Sequence, residues 1–262
     1  MCMKNKIKDL AIFVLLLALT AVSVSNFVVI TSSMKVKNVG FEKADTYFPI
    51  ESFVMVTQSL VTFQETCNDE DKECLPLPIP QLEMSGTGSG SIIGKRDGKS
   101  LVLTAGHVCV AGVEEIPMAV DISTQYSITL ETGFGKTGNG TIISLDLVND
   151  LCLLLSDTDL GPPLPIYDGE PALHEKVYNM ASPLGLAAPI AVPVFDGYFS
   201  GQVASFYIFT VPAAPGSSGS PVMNKDHEII SVINAAAVSF DEYAIGCKTQ
   251  AIRNFLLAAG VL

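Results

Sequence analysis

The spacing of its apolar runs constrains this chain most. From residue 50 onward, short segments follow one another with Gly, Pro, Asn and Asp between them. They are FVMVTQSLVTF (53–63), SGSIIG (89–94), SLVLTAG (100–106), YSITL (126–130), NGTIISLDL (139–147), LCLLL (151–155), KVYNMA (176–181), ASFYIFTV (204–211) and EIISVINAAA (228–237). Runs of this length, alternating or continuously apolar and bounded by turn residues, suit strands and are too short for helices. A 3.6-residue period emerges only at the end, where AIRNFLLAAGVL sets Ile252, Phe255, Leu256 and Ala259 on one helical face. Many short strands and one terminal helix predict an all-β barrel or sandwich. With 48% hydrophobic and 16% charged residues among 262, the chain has enough apolar surface for one domain of roughly 200 residues.

The amino end reads differently. Lys4, Lys6 and Lys8 precede LAIFVLLLALTAVSV (10–24), and SNFVVI continues the apolar character to Ile30. The shorter count fits a cleaved signal peptide, with Ser23-x-Ser25 as a small-x-small site, and the longer count fits a membrane anchor. The reading favours the anchor and leaves the cleaved peptide open. In either case the lysines hold the amino end in the cytoplasm and send the remainder across the membrane. The expected organisation is a signal anchor or signal peptide over 1–30, a tether over 31–49 and a folded domain over 50–262, membrane-bound or secreted and extracytoplasmic.

Charge and cysteine content narrow the function classes. The net charge is −12, yet residues 1–37 carry five lysines against Asp9 alone, so the rest holds 10 basic and 26 acidic residues. A domain this acidic, without clustered Lys or Arg, makes a poor partner for nucleic acid. Cys67 and Cys74 bracket the polar NDEDKE and form one candidate disulfide. Cys109 and Cys152 form another, each lying two residues beyond a candidate site residue, while Cys247 has no evident partner. The three histidines lie far apart with no cysteine at metal-ligand spacing, so no metal site and no cofactor are expected.

Three stretches carry chemistry. In GTGSGSIIGKRDGKSLVLTAGHVCV (86–110), His107 follows an apolar strand and two small residues, a place where an uncrowded imidazole suits a general base. In SLDLVNDLCLLL (144–155), Asp150 opens an apolar strand and is the candidate to fix the tautomer of that imidazole; Asp146 and Asp157 are its rivals. APGSSGSPV (214–222) crowds three serines between glycines and prolines. Alone it reads as an ordinary polar turn. The chain order His, Asp, Ser changes its meaning, because that is the order of chymotrypsin and not of subtilisin or the α/β-hydrolases.

With these motifs in that order, the chain resembles the trypsin-like serine peptidases of the chymotrypsin fold, and within them the HtrA/Deg-type bacterial branch. The likeness is specific at 86–110, 146–155 and 210–224, looser at 228–255, and absent from 1–49. It implies two six-stranded antiparallel β-barrels with a C-terminal helix, and a serine endopeptidase acting on protein or peptide substrates. The family motif G-x-S-G-[GS]-P falls on Gly216 to Pro221. The resemblance thus implies a triad of His107, Asp150 and Ser218, with the backbone amides of Gly216 and Ser218 forming an oxyanion hole. It also implies a primary specificity pocket lined by Val211, Pro212 and Ala213 from TVPAAPG and by Val232 and Asn234 from SVINAA. No charge occurs in either segment, so small or medium apolar P1 side chains are expected.

Two departures qualify the likeness. The residue before the nucleophile is Ser217 where digestive enzymes have an Asp, so the zymogen switch that uses that Asp is not expected. No PDZ-like segment is expected after residue 262, although many HtrA relatives have one, so tail recognition by such a domain is not assumed. The alternative is a binding or structural module on a protease fold without activity; an intact His, Asp and Ser set argues against it.

Overall fold

Two sheets, each rolled into a closed barrel, account for nearly all the strands. The computed structural model describes residues 47–67, 74–110, 122–237 and 240–262. The apolar segment at 10–30 and most of the tether at 31–49 lie outside the described residues. Among the described residues, no helix is long and apolar enough to cross a membrane. Residues Phe48–Leu262 form one unit.

The first barrel contains β1 (Phe53–Cys67), β2 (Cys74–Arg96), β3 (Lys99–Ala105), β4 (Ile122–Thr132), β5 (Thr137–Asp146) and β6 (Leu151–Ser156), ordered β1-β2-β3-β6-β5-β4. The second contains β7 (Lys176–Met180), β8 (Val194–Val203), β9 (Phe206–Phe209), β10 (Pro221–Met223), β11 (Ile229–Ala237) and β12 (Phe240–Cys247), ordered β10-β11-β12-β9-β8-β7. Every paired strand is antiparallel. Closure gives each strand two neighbours over at least part of its length, although β2 from Cys74 to Ser89 pairs with β1 alone. Among the described residues, two α-helices accompany the barrels, α1 (Gly106–Val110) and α2 (Thr249–Ala258), besides two short 3-10 turns. The expected double barrel with a C-terminal helix is therefore present.

The continuously apolar strands have a simple cause. Along β6, Cys152 and Leu154 point into the first barrel, whereas Leu151 and Leu153 point out of it, toward residues of the second. On β3, Val102 faces the barrel interior, and Leu101 and Leu103 face outward. Alternate side chains of a strand lie on opposite faces, so a strand buried on both faces must be apolar at every position. The outward set joins Met180, Met223, Ile229 and Val232, together with Ile252, Phe255 and Leu256 of α2, in one core between the barrels. The second barrel has its own interior, built around Phe199, Tyr207 and Phe209 with ring centroids 4.9–6.1 Å apart.

Asp196 and Gly197 lie inside β8, paired with Tyr178 and Val177. Gly197 is required by proximity: a Cβ there would stand 2.4 Å from the Thr210 carbonyl oxygen. Asp196 pairs with Lys176 at 2.9 Å.

Candidate active site

The serine loop joins β9 to β10, and its three hydroxyls have different surroundings. Ser217 is buried, and its Oγ accepts a hydrogen bond from the Ala214 amide at 3.2 Å. Ser220 is fully buried, and its Oγ accepts from Asn179 Nδ2 at 2.7 Å. Ser218 alone is partly exposed. The backbone amides divide in a similar way. Those of Ser217, Gly219 and Ser220 donate to the carbonyls of Ala214, Ile233 and Ser217. Among the described residues, the amides of Gly216 and Ser218 have no backbone acceptor. The two amides lie two residues apart, on a turn where Gly216 has φ +94°.

The turn is strapped to the first barrel. The Ser89 amide on β2 donates to the Ser218 carbonyl at 2.7 Å, and Ser89 Oγ donates to the Gly216 carbonyl at 2.8 Å while accepting from the Ser182 amide at 2.9 Å. A Cβ on Gly219, which has φ +86°, would lie 2.1 Å from both the Ser89 carbonyl and Thr104 Oγ1. The serine loop therefore sits directly on the end of β3, from which His107 emerges. Sequence reasoning missed Ser89. It lay within the quoted GTGSG stretch, but nothing in its spacing marked a hydroxyl bonded on both sides.

His107 is the second residue of α1. Its backbone amide donates to Asp150 Oδ1 at 2.7 Å and its ring Nδ1 meets Asp150 Oδ2 at 2.7 Å. A carboxylate can only accept, so the ring proton belongs on Nδ1 and the Nε2 lone pair is left available. Asp150 holds a left-handed backbone, φ +54°, which directs both oxygens at one residue. The rivals are engaged elsewhere. Asp146 closes the β5–β6 turn through Val148 N, Asn149 N and Asn149 Nδ2; partial burial raises its pKa, but these hydrogen bonds outweigh that and hold it below the usual value. Asp157 accepts from the side chain and amide of Asn139, which lower its pKa. No hydrogen bond joins His107 to Ser218 among the described residues. In unliganded acyl-transfer sites that contact is often long and tightens on substrate binding.

A cleft of about 220 Å³ opens beside Ser218, lined by Ala213, Ala214, Pro215, Ile233, Ala235 and Ala236 besides the serine loop itself. Only Ala213 of the expected pocket residues belongs to it. Val211 is buried inside the second barrel and Val232 in the core between the barrels, Pro212 is exposed, and Asn234 donates its amide to the Asn149 carbonyl at 3.2 Å. The lining residues nevertheless fall within the two expected segments, TVPAAPG and SVINAA, and the serine loop. The lining carries no charge. Among the described residues, no three His, Cys, Asp or Glu side chains gather as a metal site would require.

One of the two cysteine pairings is formed. Cys109 of α1 and Cys152 of β6 make a disulfide with Cα atoms 6.5 Å apart. Cys67 and Cys74 stand opposite each other in the β1–β2 register, but their side chains lie outside the described residues. Cys247 is a buried free thiol.

A family model described as "Trypsin-like peptidase domain" matches residues 88–232, more than half of the chain. The chain belongs to this family. Among curated relatives, this trypsin-like peptidase domain is 26% identical over 204 residues to the serine protease HhoA of Synechocystis sp., covering 71% of the chain and 47% of HhoA. It is 26% identical over 171 residues to the Do-like serine protease HtrA of Bacillus subtilis, covering 60% of the chain and 35% of HtrA. The chain thus spans about half the length, or less, of these relatives. Among solved structures, the serine endoprotease from Yersinia pestis shares the fold at TM-score 0.54 and 18% identity, over 80% of this chain and 63% of that one. The active form of the Rv3671c protease from M. tuberculosis does so at TM-score 0.56 and 16% identity, over 81% and 82%.

Proposed function

We infer that this trypsin-like peptidase domain is a serine endopeptidase working through an acyl-enzyme. The observation that carries the reading is the doubly hydrogen-bonded His107–Asp150 pair beneath a turn on which Ser218 is the one partly exposed serine. In this mechanism His107 Nε2 takes the proton of Ser218 Oγ as the oxygen attacks the scissile carbonyl. The resulting oxyanion is held by the amides of Gly216 and Ser218, each such donor being worth roughly 3 kcal/mol in the transition state. Asp150 holds the imidazole in its tautomer and stabilises the imidazolium. His107 then returns the proton to the departing amine, and water, deprotonated by His107, hydrolyses the Ser218 ester.

The alanine-lined cleft supports a preference for small or medium apolar P1 side chains, because an ionised side chain would find no partner there. The lysines before residue 10 support export of the domain, and the Cys109–Cys152 disulfide suits an oxidising compartment.

A fluorophosphonate probe tests the assignment. Wild-type protein should be labelled and Ser218→Ala should not, and His107→Ala should lower peptide turnover by about 10⁶, as severely as Ser218→Ala. Asp150→Asn should fold normally and lose about 10⁴ in turnover. Wild-type protein that takes no label would favour a protease-fold module without activity.

A further inference from the structure

The helix that carries His107 is too short to hold itself. α1 has five residues, and an isolated single turn of helix is unstable because its nucleation cost is not repaid. Its beginning is fixed, since Gly106 continues directly from β3. Among the described residues, its later residues are held by packing in the first-barrel core and by contacts that include these three: Val108 lies over Gly88, Tyr126 Oη donates to the Cys109 carbonyl, and Cys109 is bonded to Cys152. Only the last is covalent.

The other end of that bond lies at the opposite half of the pair. Cys152 stands two residues after Asp150, on the strand that Asp150 introduces, and opposite Thr104 of β3. Asp150 itself holds φ +54°, in the left-handed region that Asp can adopt at a turn. One disulfide therefore joins the helix of His107 to the strand of Asp150, two residues from each, and both sulfurs are buried.

Building on the endopeptidase reading, we propose that the Cys109–Cys152 disulfide is a positioning element for the His107–Asp150 pair, so that the enzyme turns over at full rate only while this bond is closed. Opening it by an external dithiol, which is itself oxidised to a cyclic disulfide as two electrons and two protons pass to the two cysteine sulfurs, frees α1 to move relative to β6 and spoils the two-point contact. The barrels, with cores of their own, remain folded. Cys109 and Cys152 touch no substrate in this account; they act through His107 and Asp150.

Full-length Cys109→Ala/Cys152→Ala protein tests the idea. It should keep the wild-type far-UV circular dichroism at 25 °C, lower kcat about 100-fold with little change in KM, and lose most of that penalty when Asp150→Asn is already present. A second readout needs no turnover: in Ser218→Ala protein, the His107 ring Nδ1–H proton should give an observable NMR resonance that vanishes when the two cysteines are replaced. Should the double variant not fold, wild-type protein reduced with a water-soluble phosphine serves instead, with bond opening followed by mass. An unchanged ring resonance and unchanged kcat would overturn the proposal. So would circular dichroism lost in step with bond opening, which would make the disulfide a staple of the fold alone. Failure of the endopeptidase reading is distinguishable, because unlabelled wild-type protein would still give or lose the ring resonance.

Discussion

Gly106 lies against Asp150: a Cβ built on Gly106 would stand 3.0 Å from Asp150 Oδ1 and 3.2 Å from its carbonyl carbon. The oxygen it would crowd is the one that accepts from the His107 amide. Gly106→Ala should therefore displace the carboxylate by a few tenths of an ångström without opening either barrel. Misplaced catalytic groups cost up to about 100-fold, and a loss of that order in kcat is expected with far-UV circular dichroism unchanged. Steady-state kinetics beside a thermal melt would check it; a kcat within about threefold of wild type would mean that the pair tolerates the crowding.

The three serines of the loop should respond differently to alanine. Ser218→Ala removes labelling by a fluorophosphonate. Ser217→Ala and Ser220→Ala keep labelling but destabilise the fold, because Ser217 Oγ holds the Ala214 amide and Ser220 Oγ holds Asn179 inside the second barrel. Leaving a buried donor unsatisfied costs about 1–3 kcal/mol, readable as a lower urea midpoint. Loss of labelling in folded Ser220→Ala protein would assign the nucleophile to the wrong residue.

Gly219→Ala should be the most damaging single change in the loop. The new methyl would need the space of the Ser89 carbonyl and Thr104 Oγ1, both at 2.1 Å, on a backbone with φ +86°. A loss above about 4 kcal/mol is expected, enough to lift the serine turn off the first barrel. Chemical denaturation would measure it, and a loss below about 1 kcal/mol would contradict the contact.

Cys247 should give the alkaline limb of stability a recognisable shape. Burial, with Asp150 and Asp146 adding repulsion against a weaker opposing hydrogen bond at Val232, pushes its thiol up to about 12. In the unfolded chain the thiol ionises near 8.5. The folded state therefore binds this proton more tightly, so the contribution is complete below about pH 8.5 and is lost as pH rises toward 12. Urea denaturation across that range should show wild type losing stability faster than Cys247→Ala. Parallel curves would mean that the thiol is not held neutral.

Much of this was legible in the sequence, for physical reasons. The serine turn, the histidine after β3 and the acid before β6 each need particular residue types at fixed places, so their identities survive in the linear order. The choice among Asp146, Asp150 and Asp157 was less visible, because all three border turns; hydrogen bonds to Asn149 and Asn139 separate them only in space. The cleft falls in the two expected segments but at Ile233, Ala235 and Ala236 where Val232 and Asn234 were named, because which face of β11 meets the cleft is settled only in space. Ser89 was missed because its partners are 93 and 127 residues away.

Because β3 and β6 feed the first barrel with one set of residues and the core between the barrels with the alternate set, the two halves share a wall. A shared wall is a seam and not a hinge. It makes the halves poor modules: a barrel transplanted from a relative would bring its own version of Leu101, Leu103, Leu151 and Leu153, or their counterparts at Met180, Met223 and Val232, to a surface shaped for another set.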